Sequence, residues 1–393
     1  MKILLIPELD WMAALQNRVH KIFKRLARDH EIHVIYFEHE RKGINKSYKL
    51  KKGIILHKPP MIYVKNMLLF YLLNAFSIYS YIKKLIRTHN IQIIVTTNFL
   101  FAPFVIRAAN SSKIPVVFDV VDFQSFHINY IKNIPGYLKK MGNIFLTSLL
   151  NFDILNAHYL ITTGLPLYRY IKQKNLKNVT IIPNGVDTTL FNTNYNGIAV
   201  RKQFRINSPI ICFIGALEYW IDYQLFFHTI ALLQEKYPDL HCLCIGPSRH
   251  FGLKRIKQLA YEYGVLNRIT FTGRIPYHQL PAYICASDVC VLPFVKNYLT
   301  HCIIPMKLFE YLACERPVVS TSLAGVKSIA KNSIFYADTP TEFCDRICYV
   351  LNNKEKLQGK IHSGKILVKK HSWDDLSEKY GQILERIYSC FSK

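Results

Sequence analysis

Short apolar runs alternate with longer amphipathic segments along this chain, and the alternation runs through twice. That pattern is the mark of βαβ units on a parallel sheet. In the first series strands are expected at 2–7, 31–37, 54–57, 91–97, 115–119, 158–162 and 179–182. Helices are expected between them at 13–28, 62–87, 101–109, 134–155 and 167–174. The series stops at Pro183 to Asp187, and the polar, irregular residues 188–208 read as a linker. A second series opens at Ile210, with strands at 210–214, 241–245, 269–271, 289–292, 317–320 and 334–336. Its helices are expected at 223–236, 253–263, 280–286, 306–314 and 342–351, and a helical stretch follows Ser372. At 393 residues the chain exceeds what one core usually organises. The expected architecture is α/β, with two Rossmann-like doubly wound domains, 1–187 and 209–371, facing an interdomain cleft. In open sheets of this kind ligands bind at the carboxyl ends of the strands.

Charge narrows the partners. The chain carries 51 Lys and Arg against 26 Asp and Glu, a net charge of +25, and residues 41–118 hold thirteen basic residues and no acidic one. Such a field attracts phosphates, on nucleic acid, on anionic lipid or in a pyrophosphate-linked substrate. No recognisable nucleic-acid module accompanies it, so a nucleic-acid partner is not expected. All ten cysteines follow residue 211, at apolar places and without a CxxC pair, and read as reduced, mostly buried thiols of a cytosolic protein. Their spacing supports no zinc site. The opening apolar run is too short for a signal-peptide core, and the most apolar stretch, 67–82, falls short of a membrane span.

The segment SDVCVLPFVKNYLTHCIIPMKLFEYLACERPVVS (287–320) carries the most chemistry. It reads as a buried strand, an irregular loop, a helix opening at Pro305 and a second strand. Proline suits a first helical turn, where its missing N–H is not needed. The helix N-terminus then offers free amides and a positive dipole end to an anion, and Lys307 adds a full charge. Glu310 shares the same helical face. A cation for phosphates and a carboxylate for sugar hydroxyls is the pair a nucleotide-sugar needs.

This segment resembles the donor-binding signature of the GT-B glycosyltransferases of the group 1 class. IIPNGVDTTLF (181–191), ICFIGALEYWIDYQLFF (211–227), ITFTGRIPYHQLPAYICASDVCVLPF (269–294) and HSWDDLSEKY (371–380) resemble further family segments, in order and at sensible spacing. The resemblance implies that Glu310 binds the donor ribose and Lys307 the diphosphate. It brings Thr300 and the backbone at Gly215 toward the phosphates, Arg274 and Ile275 to the nucleobase, and Gly325 near the sugar. It also implies that 372–393 forms a helix crossing back to the first domain. The chain departs from the family in two places. Cys302 stands where many retaining members have a second Glu, and Glu218 lies in a stretch where many carry Arg and Lys; Arg274 and Lys296 are the candidate substitutes.

On the acceptor side, VVFDVVDFQSFH (116–127) ends a strand in Asp119 and Asp122, with His127 beyond. A base taking the acceptor's proton is expected there, Asp122 ahead of Asp119. Asn17, Arg18 and His20 resemble residues that open the first helix and meet acceptor or donor. Two aromatic-rich stretches with basic flanks, 61–87 and 129–150, suit a membrane interface, against the plainer reading of core helices. The expected activity is transfer of a sugar from a UDP- or GDP-linked donor to a glycan or lipid-linked acceptor, in surface polysaccharide or glycolipid synthesis. It is expected to be cytoplasmic, peripheral at the inner face of the membrane, and to need neither cofactor nor metal. The alternative is a relative that binds nucleotide-sugars and acts as an epimerase, or does not transfer at all.

Overall fold

The computed structural model describes residues 1–8, 11–12, 17–37, 52–64, 66–123, 125–126, 128, 135–248 and 251–391. The chain divides into two compact units. One is Met1–Pro183 with Trp373–Lys393, the other Asn184–Ser372.

The first unit holds a seven-stranded sheet: β1 (Lys2–Ile6), β2 (Glu31–Ile35), β3 (Ile54–His57), β4 (Ile93–Thr96), β5 (Val116–Val120), β6 (Tyr159–Thr162) and β7 (Val179–Ile181). The order is β3-β2-β1-β4-β5-β6-β7, with every pair parallel. The order therefore reverses between β1 and β4, the switch point of a doubly wound sheet. Its strands are mostly apolar because helices cover them: Leu4, Ile6, Ile35 and Ile94 pack with Ile78, Ile82, Val105 and Ile106.

The second unit repeats the plan with six strands: β8 (Ile210–Ile214), β9 (His241–Ile245), β10 (Ile269–Gly273), β11 (Val289–Leu292), β12 (Val318–Ser320) and β13 (Phe335–Tyr336). They are ordered β10-β9-β8-β11-β12-β13 and again all parallel. Side chains of β8 alternate between two cores. Ile210, Cys212 and Ile214 enter one, and Ile211 and Phe213 enter the other. Every described cysteine is a free thiol, and seven of the ten are buried.

Several boundaries differ from the sequence expectation, each for a local reason. The helix expected from residue 62 begins instead at Met67, behind an Asn66 cap. Asn74, 1% exposed, reaches back from that helix to bond both the N–H and the carbonyl of Ile62, fixing the preceding chain as extended. The helix expected from residue 13 is Arg18–Leu26, capped by the Asn17 side chain, and 13–16 lie outside the described residues. The stretch 188–208 is not a bare linker. It contains the helix Ile198–Phe204, and Phe191, Val200 and Ile206 are buried in the core of the second unit. Gly197 lets that helix lie directly on Ala286, whose backbone a Cβ would meet at 2.5 Å. The terminal helix, Trp373–Phe391, packs on Arg18–Leu26 within the first unit.

Candidate functional site

Three neighbouring strands of the second unit, β8, β9 and β10, each end in a glycine in the left-handed half of φ space. Gly215 has φ +140°, Gly246 +142° and Gly273 +69°. They are stitched in a row: Gly215 N–H donates to Ile245 O and Gly246 N–H to Gly273 O, both at 2.8 Å. A Cβ at Gly246 would collide with the carbonyl oxygen of Gly215, so backbone here packs on backbone. At the carboxyl ends of these three strands the chain thus has a row of positions without side chains.

The amine of Lys307 fills part of that cleared space. It lies 4.4 Å from the Phe213 ring centroid and 5.3 Å from that of Phe294, both within cation–π range. A Cβ at Gly215 would collide with Nζ. Burial pushes the Lys307 pKa down to about 8, and the charge of Glu310 opposes that shift. Lys307 sits in the first turn of the helix Met306–Ala313, whose N-cap residue Pro305 is extended and offers no side-chain cap. Glu310 on the same helix is 5% exposed and accepts a bond from the Tyr277 hydroxyl at 3.0 Å. The neighbouring Tyr311 hydroxyl accepts the Ile214 N–H at 2.7 Å and so pins the end of β8 to this helix. Cation, carboxylate and bare backbone are therefore held together by one helix and one strand end, an arrangement suited to a phosphate ester bearing a polyol.

The other residues expected on this side fall around it unevenly. Arg274 and Ile275 follow Gly273; the arginine is exposed and the isoleucine packs on the core. Gly325 opens the helix Ala324–Ala330, where a Cβ would strike the carbonyl of Ile303 at 2.7 Å. Thr300 lies in the short helix Tyr298–Cys302. It is fully buried, and its hydroxyl completes a capping box with Asn297 and donates to Val295 O. Lys296 is ion-paired with Asp338 at 2.9 Å. Glu218 is buried and accepts the Phe251 N–H. Cys302 is buried.

In the first unit Asp119, expected as a catalytic carboxylate, is enclosed. It is 1% exposed, 3.3 Å from the Arg18 guanidinium, and accepts the Tyr380 hydroxyl at 3.2 Å. Burial raises its pKa while Arg18 and Tyr380 oppose. Arg18 is itself 3% exposed and donates to Pro183 O at 2.7 Å. It ties together the start of its own helix, the sheet and the exit of the last strand. His20 is also interior. Its ring stacks on Trp11 at 4.1 Å, with Nε2 3.0 Å from the Trp11 carbonyl and Nδ1 2.8 Å from Asn17 Oδ1. Burial lowers its pKa to about 4. Asn17 serves as helix cap. Asp122 is half-buried, two residues past the end of β5. His127 lies outside the described residues.

Sequence reasoning missed Gly246, Gly273, Tyr277, Tyr311 and Tyr380. The glycines had a signal, since FIG, CIG and FTG each close an apolar strand. The tyrosines had none, because their partners are 33 to 261 residues away.

Two family models match the chain. One, described as glycosyltransferase family 4, covers residues 15–190, and one described as glycosyl transferases group 1 covers 208–353. The Bacillus subtilis glycosyltransferase TuaH, named for teichuronic acid biosynthesis, is 25% identical over 44% of this chain and 43% of its own length. A D-inositol 3-phosphate glycosyltransferase of Corynebacterium jeikeium is 24% identical over 38% of this chain and 36% of its own. The matched region thus spans under half the length of these two relatives. Among solved structures, sucrose-phosphate synthase from Thermosynechococcus elongatus matches with a TM-score of 0.80 at 15% identity, covering 99% of this chain and 100% of that one. Anabaena HepE in complex with UDP-glucose matches with a TM-score of 0.72 at 16% identity, over 99% and 100%. At such identities the likeness is one of fold.

Proposed function

We infer the activity from one premise: this chain belongs to the group 1 glycosyltransferases, of the GT-B fold. On that basis the donor is a nucleotide-diphosphate sugar, UDP- or GDP-linked, and the acceptor a glycan or lipid-linked sugar of a surface polysaccharide or glycolipid. The observation that carries the donor assignment is the Lys307 amine lodged against Gly215, with buried Glu310 one turn further along the same helix. Lys307 and the helix N-terminus take the diphosphate, Glu310 the ribose, and Arg274 with Ile275 the base. As the glycosidic bond to the diphosphate breaks, negative charge grows on the leaving oxygens, where the ammonium already stands. That is why we propose a metal-independent enzyme; loss of turnover in chelator, restored by Mg²⁺ or Mn²⁺ alone, would contradict it. An inverting transfer also needs a base for the acceptor hydroxyl. We assign it to Asp122, with Asp119 and Arg18 as the buried support of the strand that carries it.

The membrane reading rests on two helices with a divided face. In Met67–His89, Phe70, Tyr71, Asn74, Ile78, Ile82 and Leu85 are buried, whereas Leu72 and Phe76 are 72% and 78% exposed. In Gly136–Asn156, Tyr137, Met141, Ile144 and Phe145 are exposed. Among the described residues no helix is long and apolar enough to cross a membrane. Exposed apolar rows beside Lys83, Lys84, Arg87 and Lys140 suit an anionic lipid surface. We propose peripheral docking there, which would bring a lipid-linked acceptor within reach.

The function is tested by a thermal-shift panel of nucleotide-sugars and bare nucleoside diphosphates, followed by transfer assays. A ligand that binds only the folded form raises its melting temperature. Wild type should shift with one base, and Lys307→Ala and Glu310→Gln should lose the shift while folding normally. A shift that survives both substitutions overturns the site. Binding with donor turnover but no transfer to any acceptor would favour the epimerase or non-transferring alternative.

A further inference from the structure

Away from these residues, three imidazoles converge in the first unit. His33 lies in the middle of β2, His57 ends β3, and His89 is the last residue of the helix Met67–His89. One nitrogen from each lies within 4.8 Å of the other two. Their ring centroids are 5.0 Å (His33–His57), 4.6 Å (His33–His89) and 5.1 Å (His57–His89) apart. The residues are brought together by β2–β3 pairing, in which Ile35 faces His57, and by the descent of the helix end onto the same sheet edge.

The hydrogen bonds orient the group. His33 is fully buried, and its Nε2 lies 2.7 Å from Glu31 Oε1, a carboxylate that also meets the Lys2 amine at 3.6 Å. A carboxylate only accepts, so Nε2 carries the proton and Nδ1 keeps its lone pair. That lone pair faces His57 Nε2 at 2.8 Å. A carboxylate behind an imidazole, fixing its tautomer so that the far nitrogen is free, is the outer-shell arrangement found around metal-bound histidines. The last turn of a helix adds negative potential, which favours a cation beside His89.

We propose that His33, His57 and His89 bind a divalent transition-metal ion that prefers nitrogen ligands, with Zn²⁺ as the fitting ion and water in the fourth position. Bonds of about 2.0–2.1 Å in a tetrahedral site place ligand nitrogens about 3.3 Å apart. The 2.8 Å pair must open slightly, and separations of up to 4.8 Å must close by about 1.5 Å, which ring rotation about χ1 and χ2 supplies. His57 gives up the Nε2 proton, which its ring takes on Nδ1 instead, so the imidazole stays neutral and no net proton is released. The ion would staple the end of the helix carrying Leu72 and Phe76 to the edge strand β3 and its neighbour β2.

The test uses the full-length chain without a histidine tag, stripped with chelator and titrated with Zn²⁺ or Co²⁺. One equivalent of Zn²⁺ should bind, and at a free concentration of about 100 times Kd the melting temperature should rise by about 5 °C or more. Co²⁺ should show the visible bands of a tetrahedral site. His89→Gln, at a half-buried helix end, should weaken Zn²⁺ binding at least tenfold, and His57→Gln with His89→Gln should abolish the Co²⁺ bands. If the double variant misfolds, the single variant decides. Wild type without Co²⁺ bands or thermal shift means a hydrogen-bonded trio only, and overturns the proposal. Equal affinity in wild type and His89→Gln places the ion elsewhere and overturns it as well.

Discussion

The Lys307 amine stands where a side chain on Gly215 would have to go, so that a Cβ there and Nζ exclude one another. Gly215 also has φ +140°, which costs any other residue strain. Gly215→Ala should therefore displace the amine rather than unfold the unit. The expected result is a drop in kcat/KM on the order of 10- to 100-fold, with a loss of stability of about 1–2 kcal/mol. Steady-state kinetics beside urea unfolding would show it; equal losses in both would make Gly215 a folding residue alone.

Because burial holds the Lys307 pKa at about 8, the amine loses its proton in the free protein within an accessible range. Affinity for a nucleoside diphosphate should be flat below that value and weaken as pH rises through it. A Lys307→Arg variant, always charged, should lack this inflection. Isothermal titration between pH 6.5 and 9.5 is the measurement.

Asp119 and Arg18 form an ion pair in which both side chains are almost wholly enclosed. Removing one partner leaves the other charge buried and unpaired, so Asp119→Ala should cost about 3–5 kcal/mol. Tyr380→Phe removes one neutral donor and should cost about 1 kcal/mol. Denaturant unfolding separates this from a catalytic role, in which turnover would vanish while stability held.

Asp153 is fully buried, and neither of its carboxylate oxygens has a hydrogen-bond partner among the described residues. Burial pushes its pKa up to about 9, from an ordinary value of 3.8. The folded form then holds a proton that the unfolded chain releases, so this group's contribution to stability falls as pH rises between those two values. Asp153→Asn should be the more stable protein at pH 8, by about 2 kcal/mol or more, with the difference shrinking toward pH 4. Melting curves across that window would reveal the crossover or its absence.

Leu72 and Phe76 are exposed, so charging them should leave the fold intact. Leu72→Asp with Phe76→Asp should keep the melting temperature within about 2 °C and lose co-sedimentation with anionic vesicles. Wild type recovered equally in the supernatant with anionic and neutral vesicles would end the docking proposal.

Elements were legible where one physical rule dominated. The strands announced themselves because both faces of each sheet are covered, leaving uninterrupted apolar runs such as 210–214. Lys307 and Glu310 were legible because proline opens their helix and the two share one face. The start of Met67–His89 was not, since the apolar pattern continues through Met61 to Val64 and it takes the Asn66 cap and the Asn74–Ile62 bonds to stop the helix. The short helix Ile198–Phe204 was hidden in a polar stretch, its place set by three buried residues of unlike spacing.

By itself the chain's hydrophobic period determined two parallel α/β sheets, because covering a sheet on both faces leaves no other way to write its strands. The residue types near 300 also set Lys307 and Glu310 on one face at a helix start, the place proposed here for the donor's phosphates. Only tertiary structure decided what each polar group does. Asp119, Arg18, His20 and Thr300 are enclosed with partners inside the protein, and three histidines far apart in sequence become neighbours. Hydrogen bonds and charge pairs are short-ranged, so their partners are set by strand register and helix docking, which no local pattern encodes.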